Sequence, residues 1–216
     1  MIQTKSFDHS GGFYFYRLHQ DKICQVCNGY DSLRQFLQEM LHNCPHDLFQ
    51  AGPRSSQLKF SLPVALQQLT GHEISSLTRE ALQINKHRFK QGHSKVQVFL
   101  LERDDKTIAC EIPIWLDPKE LATYQELFQS NLSLTGHIDL LRIEDDKIWV
   151  WDYKPRAFDE KYAPTQVFFY ALMLSKRTGI SLDNFRCGYF DDAYAFVFKP
   201  SLDLLEQEQL AHSLDS

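Results

Sequence analysis

The clearest pattern in the chain is a pair of strand-like runs followed by a helix-like run. Residues 133–143 and 147–154 are rich in Ile, Leu, Val, Trp and Tyr, and a polar turn at residues 144–147 separates them. Apolar runs bounded by a polar turn predict a β-hairpin. A helix is predicted next, because Pro164 suits a first helical turn and Gly179 suits the position just past a helix end.

The predicted hairpin brings two aspartates together. If the turn is centred between Asp145 and Asp146, Asp139 lies opposite Asp152, and opposed residues have Cβ atoms about 4.5–5.5 Å apart. Side chains alternate faces along a strand, so Lys154 shares the face of the two carboxylates. Opposed carboxylates repel each other unless positive charge lies between them. Lys154 supplies one charge, and a divalent cation with oxygen ligands would supply more.

Asp152 interrupts an apolar run that otherwise resembles a buried strand. Its neighbours Trp149, Trp151 and Tyr153 are predicted to lie on the opposite face. An Asp-x-Lys triplet is, as an alternative, an ordinary charge pair on an edge strand. A carboxylate within a buried strand, however, must be paired or metal-bound.

The predicted helix carries two polar side chains on one face. Gln166 and Tyr170 are four residues apart, so they lie one turn from each other. An amide and a phenol in this position can orient a phosphate or a metal-bound water. The alternative is partial burial with ordinary hydrogen bonds.

The rest of the pattern predicts a mixed sheet flanked by helices. Helices are predicted at residues 31–43, 62–69, 73–91 and 202–210, with a helical or irregular insertion at 118–130. Strands are predicted at residues 13–18 and 22–26 (an early hairpin), 96–103 and 107–116 (a second hairpin), 186–190 and 194–199. This order predicts an α/β (α+β) fold with a mixed central β-sheet. Residues 1–72 are predicted to form an N-terminal helical and hairpin elaboration packed on a core of residues 73–216.

Composition and charge limit the class of protein. Hydrophobic residues make up 43% of the 216 residues, which is ample for a core. No apolar run approaches the roughly 18 residues of a membrane span, and the first residues do not resemble a signal peptide. We therefore expect a cytoplasmic protein with no membrane partner. The net charge of −5 argues against tight nonspecific duplex binding, which usually leaves a basic footprint.

The cysteines leave two interpretations open. Cys24 and Cys27 form a C-x-x-C motif, which can bind metal or act in redox chemistry. A zinc site would need two more ligands, and Cys44 with His46 or His42 could provide them. Since no second C-x-x-C is present, the alternative is that these thiols are free and reduced.

Three motifs together carry a resemblance to a known family. They are Gly136-His137-Ile138-Asp139, Asp152-Tyr153-Lys154 and Gln166-x-x-x-Tyr170. Their order and spacing resemble the PD-(D/E)XK nuclease superfamily, and more narrowly its RecB-like branch, which includes lambda exonuclease and CRISPR-adaptation nucleases. The resemblance covers about residues 75–198. It implies a restriction-endonuclease-like core and a deoxyribonuclease that depends on Mg²⁺ or Mn²⁺.

The resemblance implies roles in metal binding and hydrolysis. Asp139, Asp152 and the backbone carbonyl of Tyr153 would bind the metal. Lys154 would position or activate the attacking water and stabilise developing charge. A bound dication makes hydroxide available near neutral pH, and an ammonium group beside it stabilises the five-coordinate phosphorus.

The family usually takes a further Glu or His from an upstream helix. His87 is the first choice here, because RecB-like enzymes often carry a His at this place, and Glu80 is the second; the two residues lie near one face of the predicted helix 73–91. A solvated helix face is the alternative for both residues. Glu111, in the strand before the Asp139 motif, is either a further metal-side carboxylate or a paired strand charge.

The resemblance also implies DNA contacts. Gln166 and Tyr170 would support the site and contact DNA. Arg156 and Lys161 after the hairpin, and Arg88 after the upstream helix, are further candidates for DNA binding. Such charges are more often a solvated face.

The function expected from the resemblance is metal-dependent hydrolysis of DNA. An exonuclease acting on DNA ends or single strands fits best, with DNA repair among the suitable pathways. The alternative is a catalytically inactive nuclease-fold module that binds DNA or a protein partner. Only Cys187 follows the core motifs, so no iron–sulfur cluster is predicted. A homo-oligomer or a larger nucleoprotein complex is compatible with the family.

Overall fold

One mixed sheet of eight strands forms the centre of the protein, in a computed structural model that describes residues 1–206. The strands are β1 (Ile2–His9), β2 (Gly12–His19), β3 (Gln67–Thr70), β4 (Thr107–Leu116), β5 (Leu134–Glu144), β6 (Lys147–Tyr153), β7 (Phe185–Phe190) and β8 (Tyr194–Phe198). Their spatial order is β1-β2-β4-β5-β6-β7-β8-β3. Neighbouring strands are antiparallel except β6 and β7, which are parallel. The predicted α/β class with a mixed sheet is confirmed.

Helices cover both faces of this sheet. They are α1 (Gln20–Val26), α2 (Asp31–Glu39), α3 (Glu73–Ile84), α4 (Gly92–Arg103), α5 (Tyr124–Phe128) and α6 (Ala163–Thr178). α6 is the crossover that a parallel pair requires, here between β6 and β7. It packs with α2 on one face, whereas α3 and α4 pack on the other. None of the described helices combines the length and hydropathy that a membrane crossing needs.

The β5–β6 hairpin has the register that the sequence predicts. Leu140 pairs with Trp151 in the ladder. Asp145 and Asp146 form the turn with φ angles of 49° and 54°, the left-handed pair that a two-residue hairpin turn of type I′ requires. Aspartate tolerates this region better than most residues, because its short side chain bonds locally.

The two faces of β6 separate as predicted. Trp149, Trp151 and Tyr153 pack in the cluster on the α3 and α4 side of the sheet. Val150 packs in the cluster on the α6 side. Asp152 follows the same alternation, so its carboxylate lies on the face that α6 covers.

The strand predicted at residues 96–103 is wrong, because these residues form most of α4. Every residue from Val96 to Leu101 is buried, so this stretch of the helix shows no contrast between a buried and an exposed face at a period of 3.6. A short apolar run of this kind cannot be distinguished from a buried strand by periodicity. The predicted helix 73–91 correspondingly ends early, at Ile84.

Two further predicted elements are also wrong. The early hairpin pairs β1 with β2, and residues 22–26 belong to α1 instead of a strand. Residues 67–70 form β3, where a helix was predicted over 62–69. β3 is ordered by pairing with β8, a contact too distant in sequence for a local pattern to indicate.

The remaining predicted elements agree at their centres. Residues 203–206 are helical, and the rest of the predicted helix 202–210 lies outside the described residues. Strands from both sides of residue 72 share the sheet. The division into residues 1–72 and 73–216 stays a prediction.

Candidate active site

A cavity of about 350 Å³ opens between the sheet, α6 and the turn that joins β1 to β2. The structure brings the five predicted catalytic residues together, since all of them line this cavity: Asp139, Asp152, Lys154, Gln166 and Tyr170. β5 and β6 supply the two aspartates, Lys154 directly follows β6, and α6 supplies the glutamine and the tyrosine.

Gln166 is the centre of a buried hydrogen-bond network. Its Nε2 donates to Asp152 Oδ1 at 3.1 Å and to the Tyr170 hydroxyl at 2.8 Å. Its Oε1 accepts from Lys154 Nζ at 3.0 Å. The amide therefore uses both donors and its acceptor in one orientation. Lys154 Nζ also lies 2.8 Å from Asp152 Oδ2, so the ammonium is held by two groups.

Asp139 is held by the backbone of the neighbouring strand. Its Oδ2 accepts from the Tyr153 backbone N–H at 2.9 Å. His93 Nε2 lies 3.6 Å from the same oxygen, and the His93 ring packs edge-on against Tyr153, with centroids 5.1 Å apart. An imidazole from the first turn of α4 thus completes the surroundings of this carboxylate.

Glu111 lines the cavity from a position in β4 where the backbone is strained. Its neighbours Cys110 and Ile112 pair with β5 in one register, but Glu111 itself has a φ of 54°. A non-glycine residue in the left-handed region costs about 1–2 kcal/mol. The carboxylate lines the cavity and accepts a hydrogen bond from Gln97 Nε2 at 2.7 Å. Strain held at such a position points to a functional requirement.

The carboxylates of the cavity exceed the positive charge beside them. Burial, and then the negative charges of Asp139 and Asp152, raise the pKa of Glu111 to about 8. Burial and the charge of Asp152 raise the pKa of Asp139 to about 6, against the lowering effect of His93 and Lys154. Glu111 is therefore protonated at neutral pH unless additional positive charge is present.

Lys154 stays protonated in this setting. Burial lowers the pKa of its ammonium group, but the charges of Asp152 and Asp139 outweigh burial, so the net direction is upward. A lysine held in this way can donate hydrogen bonds and stabilise negative charge, but it is a poor proton acceptor.

Gly136 and Tyr170 explain two elements of the sequence motifs. A Cβ placed on Gly136 would lie 2.4 Å from Tyr170 Cε1, a distance that only rearrangement could relieve. Glycine in β5 therefore lets the tyrosine of α6 approach the strand backbone. Burial raises the pKa of Tyr170 well above its usual value, so the phenol remains neutral.

The upstream candidates His87 and Glu80 are not brought to the cavity. Both are exposed, Glu80 on α3 and His87 in the turn after it. The chain reverses after Ile84, so the first turn of α4 approaches the carboxylates instead. His93 occupies the position that sequence reasoning gave to His87.

The three basic residues proposed for DNA contact also lie away from the cavity lining. Arg156 and Lys161 are exposed. Arg88 donates two hydrogen bonds of 2.7 Å to Glu102, so an acidic partner already balances its charge. The cavity takes its basic groups from Lys154 and from Arg54, which contacts the Tyr14 hydroxyl.

Sequence reasoning missed three cavity or neighbouring residues: His93, Gln97 and Arg54. The first two lie on α4, in which residues 96–103 were predicted as a strand, and a helical assignment would have put them on one face, four residues apart. Arg54 comes from a loop before β3 and has no local signal. It reaches the cavity only through the tertiary fold.

A mixed sheet that gathers carboxylates and one lysine in a cavity is typical of nucleases that use divalent cations. A family model described as the PD-(D/E)XK nuclease superfamily matches residues 15–211, and the chain belongs to this superfamily. Its members are generally nucleases that use divalent metals such as Mg²⁺. The narrower RecB-like assignment stays a prediction.

Comparison with individual proteins adds little to the family match. No curated protein matches the chain. A solved structure titled "Crystal structure of SSO0001" is similar over 88% of this chain and 85% of its own, with 12% sequence identity and a TM-score of 0.38.

Proposed function

We propose that the protein is a metal-dependent deoxyribonuclease that hydrolyses phosphodiester bonds at DNA ends or in single strands. The observation that carries this proposal is the convergence of Asp139, Asp152, Lys154 and Glu111 in one cavity. The family supports nuclease chemistry in general.

The donor set fits a hard divalent cation. Glu111, Asp139, Asp152 and the backbone carbonyl of Tyr153 would hold Mg²⁺ or Mn²⁺, since both ions favour carboxylate and carbonyl oxygens. Burial and mutual repulsion raise the pKa values of Glu111 and Asp139. A bound cation would offset both effects, because its positive charge stabilises the ionised carboxylates. When bound, the ion would polarise the phosphoryl group and supply a nucleophilic water at neutral pH.

Lys154 contributes positive charge and does not act as a proton acceptor. Its ammonium is fixed by Asp152 and by Gln166, and its raised pKa keeps it protonated. In this position it would orient the attacking water and stabilise the charge that develops on phosphorus oxygens. Gln166 is a positioning residue, because it acts through Asp152 and Lys154, and Tyr170 acts in turn through Gln166.

Exposed aromatic residues beside the cavity favour an unpaired strand as substrate. A second cavity of about 440 Å³ shares Phe13, His93 and Glu111 with the first, and Arg17 also lines it. Phe13 and Phe15 are 71% and 45% exposed. Bases stack on aromatic side chains only when they are unpaired, and adjacent basic groups follow the backbone. The acidic net charge fits the same preference, since it disfavours broad duplex binding.

The proposal is tested with purified protein, Mn²⁺ and end-labelled DNA in four forms: single- and double-stranded, linear and circular. We expect linear single strands to be shortened and covalently closed circles to resist. Lys154→Ala is expected to lower the cleavage rate by about 10²-fold or more, as for loss of a donor to a developing oxyanion. Lys176→Ala is the matched control, because Lys176 is exposed in the last turn of α6 and does not line the cavity.

The outcomes separate catalysis from binding. Mn²⁺ binding, followed by calorimetry, should survive in Lys154→Ala, because the carboxylates remain. If the wild type and Lys154→Ala behave alike on every DNA form, the nuclease proposal fails, and a module that only binds DNA or protein is the better description. Cleavage of closed circles would exclude a requirement for DNA ends.

A further inference from the structure

A second group of metal-ligating side chains lies behind the candidate active site. It consists of His9 at the end of β1, Cys44 after α2, and His46 in the following 3₁₀ turn, His46–Phe49. One ring nitrogen of each histidine and the Cys44 Sγ all lie within 4.8 Å of one another. His9 and Cys44 are buried, at 2% and 8% exposure, whereas His46 is exposed. We call this group the His-Cys-His cluster.

The spacing of the cluster is close to that of a tetrahedral metal site. His9 Nε2 and His46 Nδ1 are 3.0 Å apart. Two nitrogen ligands at about 2.0–2.1 Å from a tetrahedral zinc ion lie roughly 3.3 Å apart. A shift of a few tenths of an ångström would therefore convert the hydrogen-bonded pair into a pair of ligands.

The ring of His9 is already oriented for this role. Its Nδ1 lies 2.9 Å from His137 Nε2, and its ring stacks on Phe49 with centroids 4.4 Å apart. A metal-bound histidine typically uses its second nitrogen as a hydrogen-bond donor that fixes the tautomer and the ring plane. His137 is placed to accept that hydrogen bond.

We propose that His9, Cys44 and His46 form a transition-metal site that binds Zn²⁺. Two imidazoles and one thiolate suit Zn²⁺ and disfavour Mg²⁺, which prefers oxygen ligands. The three ligands leave a fourth position for water. The C-x-x-C motif of Cys24 and Cys27 is not part of this group, although the sequence suggested it as the start of a zinc site.

The position of the cluster gives the ion a structural consequence. Two residues after His9 comes Gly11, in the turn, followed by Gly12 at the start of β2, and both line the active-site cavity. The Ser10 backbone N–H already donates to the Phe49 carbonyl at 2.9 Å. A bound Zn²⁺ would replace the hydrogen bond between His9 and His46 with coordination bonds to both rings and to Cys44, and so would fix one wall of the cavity.

The test is zinc binding by the full chain in excess Mg²⁺, which competes at the oxygen ligands of the cavity. We expect one Zn²⁺ per chain after removal of free metal, measured by elemental analysis. Co²⁺ in place of Zn²⁺ is expected to show thiolate-to-metal charge-transfer absorption, which carboxylate ligation does not produce. Loss of one ligand in His46→Ala or Cys44→Ser should weaken zinc binding by at least about tenfold, since even losses outside the ligand set cost that much.

Matched controls keep the result specific. His42→Ala and Cys24→Ser alter an exposed histidine and an exposed cysteine outside the cluster, and both should bind zinc as the wild type does. His46 is exposed, so His46→Ala decides the matter even if Cys44→Ser fails to fold. The proposal is overturned if the wild type retains no zinc, if His46→Ala binds it equally well, or if the Co²⁺ protein lacks the thiolate band. The cluster is then a hydrogen-bonded histidine chain without an ion.

Discussion

Replacing Glu111 with glutamine is expected to stabilise the metal-free protein at neutral and alkaline pH. The substitution keeps the shape of the side chain, the φ of 54° and an oxygen that can accept from Gln97. It removes a carboxylate whose charge is disfavoured by burial and by Asp139 and Asp152. The change in stability therefore reports the electrostatic cost of gathering these acids without a cation.

The size of the effect follows from the pKa. A rise from 4.5 to about 8, at about 1.4 kcal/mol per pKa unit, corresponds to roughly 5 kcal/mol. Glu111 borders an open cavity and is only partly buried, so water reduces this figure. We expect Glu111→Gln to raise the free energy of unfolding by about 2 kcal/mol at pH 8.

The sign and the pH window are fixed by linkage. Between pH 4.5 and about 8 the folded protein keeps the Glu111 proton, whereas the unfolded chain has lost it. Stability of the wild type therefore falls as pH rises through this window. Asp139, with a pKa of about 6, adds to the same slope from its own usual value upward. In Glu111→Gln the slope should be shallower, and the two proteins should converge below pH 4.5.

Urea denaturation in EDTA between pH 5 and 9 measures this difference, with midpoints and m-values compared at each pH. Glu80→Gln is the matched control, because Glu80 is an exposed carboxylate on α3; it should leave the pH profile unchanged. Equal stability of the wild type and Glu111→Gln at pH 8, with parallel pH profiles, would refute the conclusion that burial and the charges of Asp139 and Asp152 disfavour ionised Glu111.

Three further outcomes are expected. Gly136→Ala should destabilise the protein by about 1–3 kcal/mol, as overpacking does, and the loss measured in urea should be smaller in a Tyr170→Ala background, where the ring that a Cβ would meet is absent; equal losses in both backgrounds would contradict the proposed contact. Gln166→Leu should lower kcat on single-stranded DNA much more than it changes KM, because it releases Lys154 and Asp152 from their common amide; an unchanged kcat would show that the amide does not position them. Mg²⁺ should raise the thermal midpoint of the wild type but have less effect on Asp152→Asn in a melting assay, and equal shifts would place the ion elsewhere.

The local half of the candidate site could be predicted from the sequence. Asp139, Asp152 and Lys154 lie on one hairpin, and Gln166 and Tyr170 lie on one helix face. Strand alternation and helical spacing fix such relations without knowledge of the tertiary fold.

The other half depends on contacts that local patterns do not contain. Six consecutive residues of α4, from Val96 to Leu101, are buried, so this apolar run resembled a strand; Gln97 lies within the run and His93 one turn before it. Glu111 was recognised as a candidate, but its left-handed backbone could not be foreseen, because glutamate has no preference for that region. Arg54 reaches the cavity from a loop that only tertiary packing positions.

The edge strand β3 pairs with a strand that is synthesised much later, β8. β3 has its ladder partner in β8, where Gln67 pairs with Val197. Everything that lines the cavity has been translated before that partner exists, since Tyr170 is the last of these residues in the chain. The segment of β3 therefore stays without its partner strand through most of translation. During this time its polar side chains, Gln67, Gln68 and Thr70, disfavour pairing with other chains until β8 has been synthesised.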